Sequence, residues 1–242
     1  MTRIESEALV VRVVEVGESD VIATLLTEGA GKMGVLARGA RKGLRRIGGA
    51  LEPFHTIAVL VESKGGDLST LKEAQIVRMR SALASNLDAL EAAGMALRWA
   101  RHLFQPATPE PQGWRILVGL LDRLDDEPPD SLHGASPKAE LARAGLAMLA
   151  AMGYGLEVSC CVVCGRICPE HKPACFDAAR GGLVCRACGG ARSVLVADVR
   201  HAIRRLATAG AADATLALSA DDAHAVLGLL DVAMAAHAGF EP

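Results

Sequence analysis

An α+β protein is predicted by three features of the 242-residue sequence. Residues 5–80 break into short apolar runs separated by glycine-rich turns, the mark of strands. From Ser81 onward the apolar residues recur at three- and four-residue steps, the mark of helices. All seven cysteines are confined to the stretch from Cys160 to Cys188. The chain therefore reads as a β-barrel followed by a helical bundle with a cysteine knuckle inserted into it.

In the first run, Ala8, Val10, Val14 and Val16 share one parity and Arg12 interrupts them. Leu9, Val11 and Val13 are apolar too, so this strand is buried on both faces or curves sharply. Gly17-Glu18-Ser19-Asp20 turns into a second run, Val21–Thr27, and Glu28-Gly29-Ala30-Gly31 turns into a third, Met33–Ala37. The stretch RGARKGLRRIGGA that follows reads as a loop. Phe54–Ser63 and Leu68–Val77 are two further strands, joined by the hairpin-type turn Lys64-Gly65-Gly66-Asp67. Five short curved strands in so few residues fit a small Greek-key barrel, with the OB-fold as the leading candidate.

Leu83, Leu87, Leu90, Ala93, Leu97 and Ala100 form one helical face, closed by Pro106, Pro109 and Pro111. Trp114–Leu124 is a second helix. Ser136-Pro137 supplies an N-cap and first-turn proline for a third, Lys138–Met152. Asp198–Ala209 and Asp221–Ala238 are the last two, the latter opened by the capping pattern Ser219-Ala220-Asp221-Asp222. The predicted organisation is residues 1–80 as an OB-fold nucleic-acid-binding domain and 81–242 as a helical domain, with a zinc-finger insertion at about 156–192.

Hydrophobic residues make up 51% and charged residues 22%, which excludes a disordered chain. The formal net charge of −2 excludes a basic nucleic-acid coat. Locally the balance differs, because no acid occurs between Glu28 and Glu52. That gap holds Lys32, Arg38, Arg41, Lys42, Arg45 and Arg46, cations that repel one another unless something anionic neutralises them. Arginine offers phosphate a bidentate fork and lysine a point charge. The plainer alternative is a solvated loop. Phe54 is the single aromatic of residues 1–80 and is expected in the core, so base stacking has no platform there. Binding would then run through phosphates, with a steep salt dependence and no sequence specificity. Arg78 and Arg80 either extend this track or serve as ordinary surface charge.

Two C-x-x-C pairs, Cys161/Cys164 and Cys185/Cys188, are each followed by a glycine, Gly165 and Gly189, that lets the turn close. Two such turns supply four soft ligands to a closed tetrahedral zinc site. Four thiolates also suit an iron–sulfur cluster, and a single C-x-x-C suits thiol redox chemistry. Cys160, Cys168, Cys175 and His171 are spare ligands, and Cys160 could take the place of Cys161. Four matched cysteines leave no open metal position for catalysis. The sequence contains no phosphate-binding G-x-x-x-x-G-K-[ST], no G-x-S-x-G, no H-E-x-x-H and no EF-hand loop, so no enzymatic activity is expected. The acids Asp122, Asp125, Asp126, Glu127 and Asp130 flank a Pro-Pro break and read as a solvated loop rather than a nuclease site. His201 with Arg200, Arg204 and Arg205 forms a basic helix face that could meet an acidic peptide or DNA. No apolar run is long enough to span a bilayer and no signal-peptide core is present, so a cytoplasmic protein with reduced thiols and no membrane partner is expected.

These residues together resemble the bacterial recombination mediator family RecO. The barrel carries the family's G-E-x-D/S turn as Gly17-Glu18-Ser19-Asp20, its L-L-T strand end as Leu25-Leu26-Thr27 and its G-A-R-K loop as Gly39-Ala40-Arg41-Lys42. Leu51-Glu52-Pro53-Phe54 is similar to its L-x-P-F, and Asp67–Ala74 to its final barrel strand. The knuckle matches at Cys161, Cys164, Gly165, Phe176, Asp177, Gly181, Gly182, Cys185 and Cys188. The resemblance implies a non-enzymatic DNA repair protein of the RecF pathway, associated with the nucleoid. Such a protein binds single- and double-stranded DNA and anneals complementary strands without ATP. With RecR, it helps load RecA onto DNA coated by single-strand-binding protein, whose acidic C-terminal tail it engages; RecF is a functional partner. By position, Arg38, Arg41, Lys42, Arg45 and Arg46 would contact phosphates, and Cys161, Cys164, Cys185 and Cys188 would hold one structural zinc. Arg98, Arg101 and Arg143 are the candidate cations for the tail pocket. The competing expectations are a zinc-stabilised protein-docking module with only weak nucleic-acid contact and, with least support, a metal-dependent hydrolase.

Overall fold

A computed structural model describes residues 2–41, 47–63, 65–66, 68–126, 136–209 and 218–238. Of the loop cations, Lys42, Arg45 and Arg46 lie outside the described residues, as do Glu127 and Asp130.

Five strands, β1 (Thr2–Val16), β2 (Asp20–Thr27), β3 (Gly31–Ala37), β4 (Thr56–Ser63) and β5 (Leu68–Arg78), close into a barrel in the order β1-β2-β3-β5-β4. All neighbours are antiparallel except β3 and β5. β1 serves two partners. Its first half pairs with β4 and its second half with β2, and a bulge at Val10/Arg12 bends it between them. That bend explains the apolar run without alternation. Ala8, Leu9 and Val10 at the corner are fully buried, whereas Val13, Val14 and Val16 beyond it are exposed. The barrel interior is aliphatic, with Ala8, Val10, Leu25, Val35, Ile57, Val61 and Leu71. Phe54 does not belong to it. It is half-buried in the turn before β4, with a φ of +74°.

After a 3-10 turn at Ala82–Ser85 come helices α1 (Leu87–Leu103) and α2 (Pro111–Asp126). α2 buries Trp114, Leu117, Leu120, Leu121 and Leu124 along one face. Residues 1–87 and 93–126 form one compact unit, and 88–92 with 127–242 form the other. Most of α1 and all of α2 thus pack with the barrel.

The barrel exit shows why Arg78 and Arg80 are not a continuation of a phosphate track. Arg80 is buried, with its guanidinium 2.8 Å from Asp122. Its Nη1 donates to the Phe54 carbonyl at 2.6 Å and to Thr56 Oγ1 at 3.0 Å. Arg78 reaches Asp126 at 2.9 Å. Asp125 accepts the N–H groups of Ala82 and Leu83 and so caps the 3-10 turn. Asp122, Asp125 and Asp126 are therefore the last turn of α2 clasping the barrel, not a solvated loop.

The second unit contains α3 (Pro137–Ala151), α4 (Ala197–Ala209) and α5 (Ala220–Ala238), with α3 packed against both of the others. Ser136 caps α3 by accepting the Ala139 N–H at 3.2 Å, and Ser219 caps α5 by accepting the Asp222 N–H at 3.1 Å. Between α3 and α4 lies a small sheet of β6 (Glu157–Cys161), β7 (Ala174–Asp177), β8 (Gly182–Leu183) and β9 (Ser193–Leu195), in the order β6-β8-β7-β9. No helix among the described residues is long and apolar enough to cross a membrane.

Candidate metal centre and nucleic-acid interface

The two C-x-x-C segments fold into matching knuckles. In the first, Gly165 N–H returns to the Cys161 carbonyl at 2.8 Å. In the second, Cys188 N–H returns to the Cys185 carbonyl at 2.9 Å. Gly165 and Gly189 take φ of +70° and +103°, the left-handed region that side chains avoid. No atom crowds either α-carbon, so conformation rather than space requires glycine there.

The knuckles bring Sγ of Cys161, Cys164, Cys185 and Cys188 within 4.8 Å of one another. Cys164 and Cys185 are 3.8 Å apart, sulfur to sulfur. A tetrahedron with Zn–S bonds of about 2.3 Å has edges of about 3.8 Å, so the set fits a tetrahedral metal. The Cys185 N–H donates to Cys161 Sγ at 3.3 Å. That donor, with the Cys164 and Val163 amides, draws the Cys161 thiol down to about 6. Cys188 is pushed up to about 12 by hydrogen bonds to the Cys185 and Cys164 sulfurs. A metal cation would replace the thiol protons. With four protein sulfurs the shell is closed, and what the ion supplies is cohesion of the knuckle.

The spare ligands stay outside this group. Cys160 bridges Ile167 instead, and burial followed by the Glu157 carboxylate raises its thiol. Cys168 contacts the Pro169 carbonyl, Cys175 lies on β7, and His171 is exposed.

The basic loop leaves the end of β3, and its described base is tied to the β1–β2 turn. Gly39 N–H donates to Asp20 Oδ1 at 2.9 Å, and Arg41 N–H donates to the Ser19 carbonyl at 3.0 Å. Arg38 is exposed. Arg41 pairs with Glu15 at 3.1 Å, so a stretch without acids in sequence is partly neutralised in space. Lys32 sits apart from the loop. Its Nζ donates to the Arg101 carbonyl at 2.6 Å, and burial, then repulsion from Arg101, holds its amine below the usual range.

Across the outer face of β1, β2 and β3, Val14, Ile22 and Leu36 stand in one cross-strand row. Val14 is 40% exposed, while Ile22 and Leu36 are half-buried. The row is aliphatic, with no aromatic platform.

Comparison with known proteins decides the family. Residues 1–80 match the model of the Recombination protein O N terminal, and residues 84–242 match that of the Recombination protein O C terminal. The chain belongs to the RecO family. It is 38% identical to the DNA repair protein RecO of Anaeromyxobacter sp. (strain K) over 218 residues, 88% of this chain and 83% of that one. The RecO of Geobacter sulfurreducens is 35% identical over 206 residues, covering 85% and 81% of the two chains. That of Myxococcus xanthus is 36% identical over 189 residues, covering 78% and 74%.

Within this RecO-family chain, one contact between knuckle and helix was not legible in the sequence. Arg200 on α4 is buried, not part of a basic helix face. Its guanidinium donates only to backbone carbonyls, those of Val158, Cys168, Pro169 and Lys172. Arg204 pairs with Glu170, whose carboxyl it holds below the ordinary range. Neither is available to an acidic peptide. Arg143, one of the three candidate tail-pocket cations, is likewise buried against Glu140. The Arg101 guanidinium lies 3.1 Å from His102 Nε2. Arg98 is half-buried and also has a partner. A lone arginine on an otherwise amphipathic helix carries no sequence mark that distinguishes a carbonyl-binding strut from surface charge. Gly182 is required by space, because a Cβ there would lie 2.5 Å from Val162 and 2.8 Å from the Glu157 carbonyl.

Proposed function

We propose that this RecO-family protein acts in DNA repair and homologous recombination as a mediator that anneals complementary strands without ATP. In this reading residues 1–80 bind single- and double-stranded DNA, and residues 81–242, with one structural zinc held by Cys161, Cys164, Cys185 and Cys188, dock protein partners. With RecR it helps load RecA onto DNA coated by single-strand-binding protein, engaging that protein's acidic tail and working alongside RecF in the nucleoid. It does so as a binding protein rather than an enzyme.

The observation that carries the reading is the acid-free run of cations after β3, whose described base, Gly39 and Arg41, is hydrogen-bonded to the β1–β2 turn. Arg38, Arg41, Lys42, Arg45 and Arg46 neutralise phosphates, and Lys32, its ammonium already engaged, adds charge at the foot of the same strand. Annealing needs phosphate repulsion removed while the base edges stay free to pair. The aliphatic row Val14–Ile22–Leu36 suits that, since an aromatic platform would hold the bases by stacking.

The test is annealing of complementary oligonucleotides coated with single-strand-binding protein, without ATP. Wild type should accelerate it, and the variant with Arg41, Lys42, Arg45 and Arg46 all changed to Ala should not. No acceleration by wild type would leave a zinc-stabilised docking module as the better reading, with RecR as the next partner to assay.

A further inference from the structure

Lys32 is set apart from the other cations of the barrel by its surroundings. It stands at the start of β3, and strand alternation puts it on the same outer face as Gly34 and Leu36. The chain between α1 and α2 is laid against it. Lys32 bridges Pro106, and its carbonyl accepts the Ala107 N–H at 3.0 Å. The Thr108 backbone occupies the place that a Cβ on Gly31 would take, so this close approach depends on that glycine.

The amine is placed unlike a phosphate contact. Its Nζ donates to the Arg101 carbonyl at 2.6 Å, and no carboxylate pairs with it among the described residues. Burial first, then the Arg101 guanidinium, disfavours its charged form. His102 stands in the same field, lowered by burial and then by Arg101, Lys32 and Arg98. A lysine that only neutralises phosphate is best left in water, where its charge costs least. A lysine pushed towards the neutral amine has a lone pair to offer and is a nucleophile.

Beside it lies a cavity of about 650 Å³, which Lys32 helps to line. Gly29, Ala30 and Gly34 give this cavity short walls, and Thr24, Ser63 and Ser69 contribute hydroxyl-bearing side chains. No aromatic side chain lines it among the described residues. Room and hydroxyls without an aromatic face suit a sugar better than a base, which binds by stacking.

We propose that Lys32 captures an abasic nucleotide of a DNA strand, holding its ring-opened sugar as a covalent imine. The Nζ lone pair adds to the aldehyde carbon of the sugar. Both nitrogen protons then leave with the carbonyl oxygen as water, and a C=N bond stands where the C=O bond was. Nothing is oxidised or reduced, no phosphodiester bond breaks, and water reverses the step. The capture rests on the reading of residues 1–80 as a DNA-binding domain and deepens it, naming a damaged strand as a ligand of that domain.

The experiment incubates the full-length, zinc-loaded protein with a fluorescein-labelled single-stranded oligonucleotide carrying one abasic site. Sodium borohydride is present and reduces the imine to a stable amine. The intact oligonucleotide and free 2-deoxyribose 5-phosphate run in parallel. Each variant is held in excess over its own Kd for the intact strand, so that affinity does not limit capture. Wild type should give a covalent adduct with the abasic strand on a denaturing gel, mapped to Lys32 by peptide mass spectrometry, and none with the intact strand. Lys32→Arg should cut the adduct at least about tenfold, and Lys72→Arg should leave it unchanged. The proposal is overturned if no adduct forms, if the adduct maps to other lysines, or if Lys32→Arg forms it as fast as wild type. Equal labelling of Lys32 by the free sugar phosphate overturns the strand as the ligand. Binding of the intact strand with no adduct on the abasic one sinks the capture alone, whereas failure to bind either strand sinks the DNA-binding reading of the barrel with it.

Discussion

Arg200 on α4 donates from both Nε and Nη2 to the Val158 carbonyl on β6, at 3.1 and 3.0 Å. The remaining donors of the same guanidinium hold Cys168, Pro169 and Lys172, so one side chain ties the loop between the two C-x-x-C pairs to a helix. Its planar fork suits several carbonyls at once, which a lysine ammonium cannot match. Arg200→Met should leave buried carbonyls unpaired and cost about 3 kcal/mol, lowering Tm by roughly 6–12 °C. Thermal denaturation checks this, together with faster zinc capture by a chelator. Arg200→Lys should recover only part of the loss.

One zinc per chain is expected by elemental analysis. Cys185→Ser should empty the site and lower thermal stability. Because the ligands must be thiolates, acidification should release the ion as protons compete for sulfur. The Glu170–Arg204 pair behaves in the same direction. With its carboxyl held below the ordinary value, the pair contributes at neutral pH and is lost only as pH falls through that lowered value. A metal-free protein of full stability would refute the structural role of the site.

The barrel loop should reveal itself in the salt dependence of DNA binding. Changing Arg41, Lys42, Arg45 and Arg46 to Ala should flatten the slope of log K against log salt by up to about 0.7 for each lost phosphate contact on single strands. Arg41 already has Glu15 at 3.1 Å, so Arg41→Ala by itself should flatten the slope by less than one full contact. An unchanged slope would place the DNA elsewhere.

Asp122 and Asp126 both meet arginines at the barrel exit, with unequal consequences. Asp122→Ala strands the buried guanidinium of Arg80 and should cost about 3 kcal/mol, because an unpaired buried charge is expensive. Asp126→Ala breaks only an exposed pair with Arg78 and should cost less than about 1 kcal/mol. Urea denaturation of the two variants side by side reads the difference.

Gly182→Ala should lower stability by about 1–3 kcal/mol, since the added methyl meets a strand carbonyl as well as a side chain. The folded variant should still bind zinc, which separates this packing defect from a ligand loss.

The elements legible in the sequence were those specified by neighbours in the chain. Strand and helix periods placed all five barrel strands and all five helices to within a few residues, and Ser136 and Ser219 were readable as caps because a cap acts on the next turn. The metal set was legible for the same reason. Each C-x-x-C is a local turn, and only the meeting of the two needed the fold.

What the sequence by itself determined, then, is the order of the barrel strands and the helices, the four sulfurs and the run of cations, while the four short strands of the knuckle were not legible in it. What only the tertiary structure decided is which charges are spent. Arg80, Arg143 and Arg200 carry the same side chain as Arg38, Arg166 and Arg186, yet the first three are buried with partners and the last three stand in water. Glu15 reaches Arg41 from another strand, and Asp122 reaches Arg80 from a helix 42 residues away. Burial and long-range pairing depend on which segments the closed barrel and the knuckle bring together. No periodicity records that, because the energy of a charge is set by its surroundings in space rather than by its neighbours in the chain.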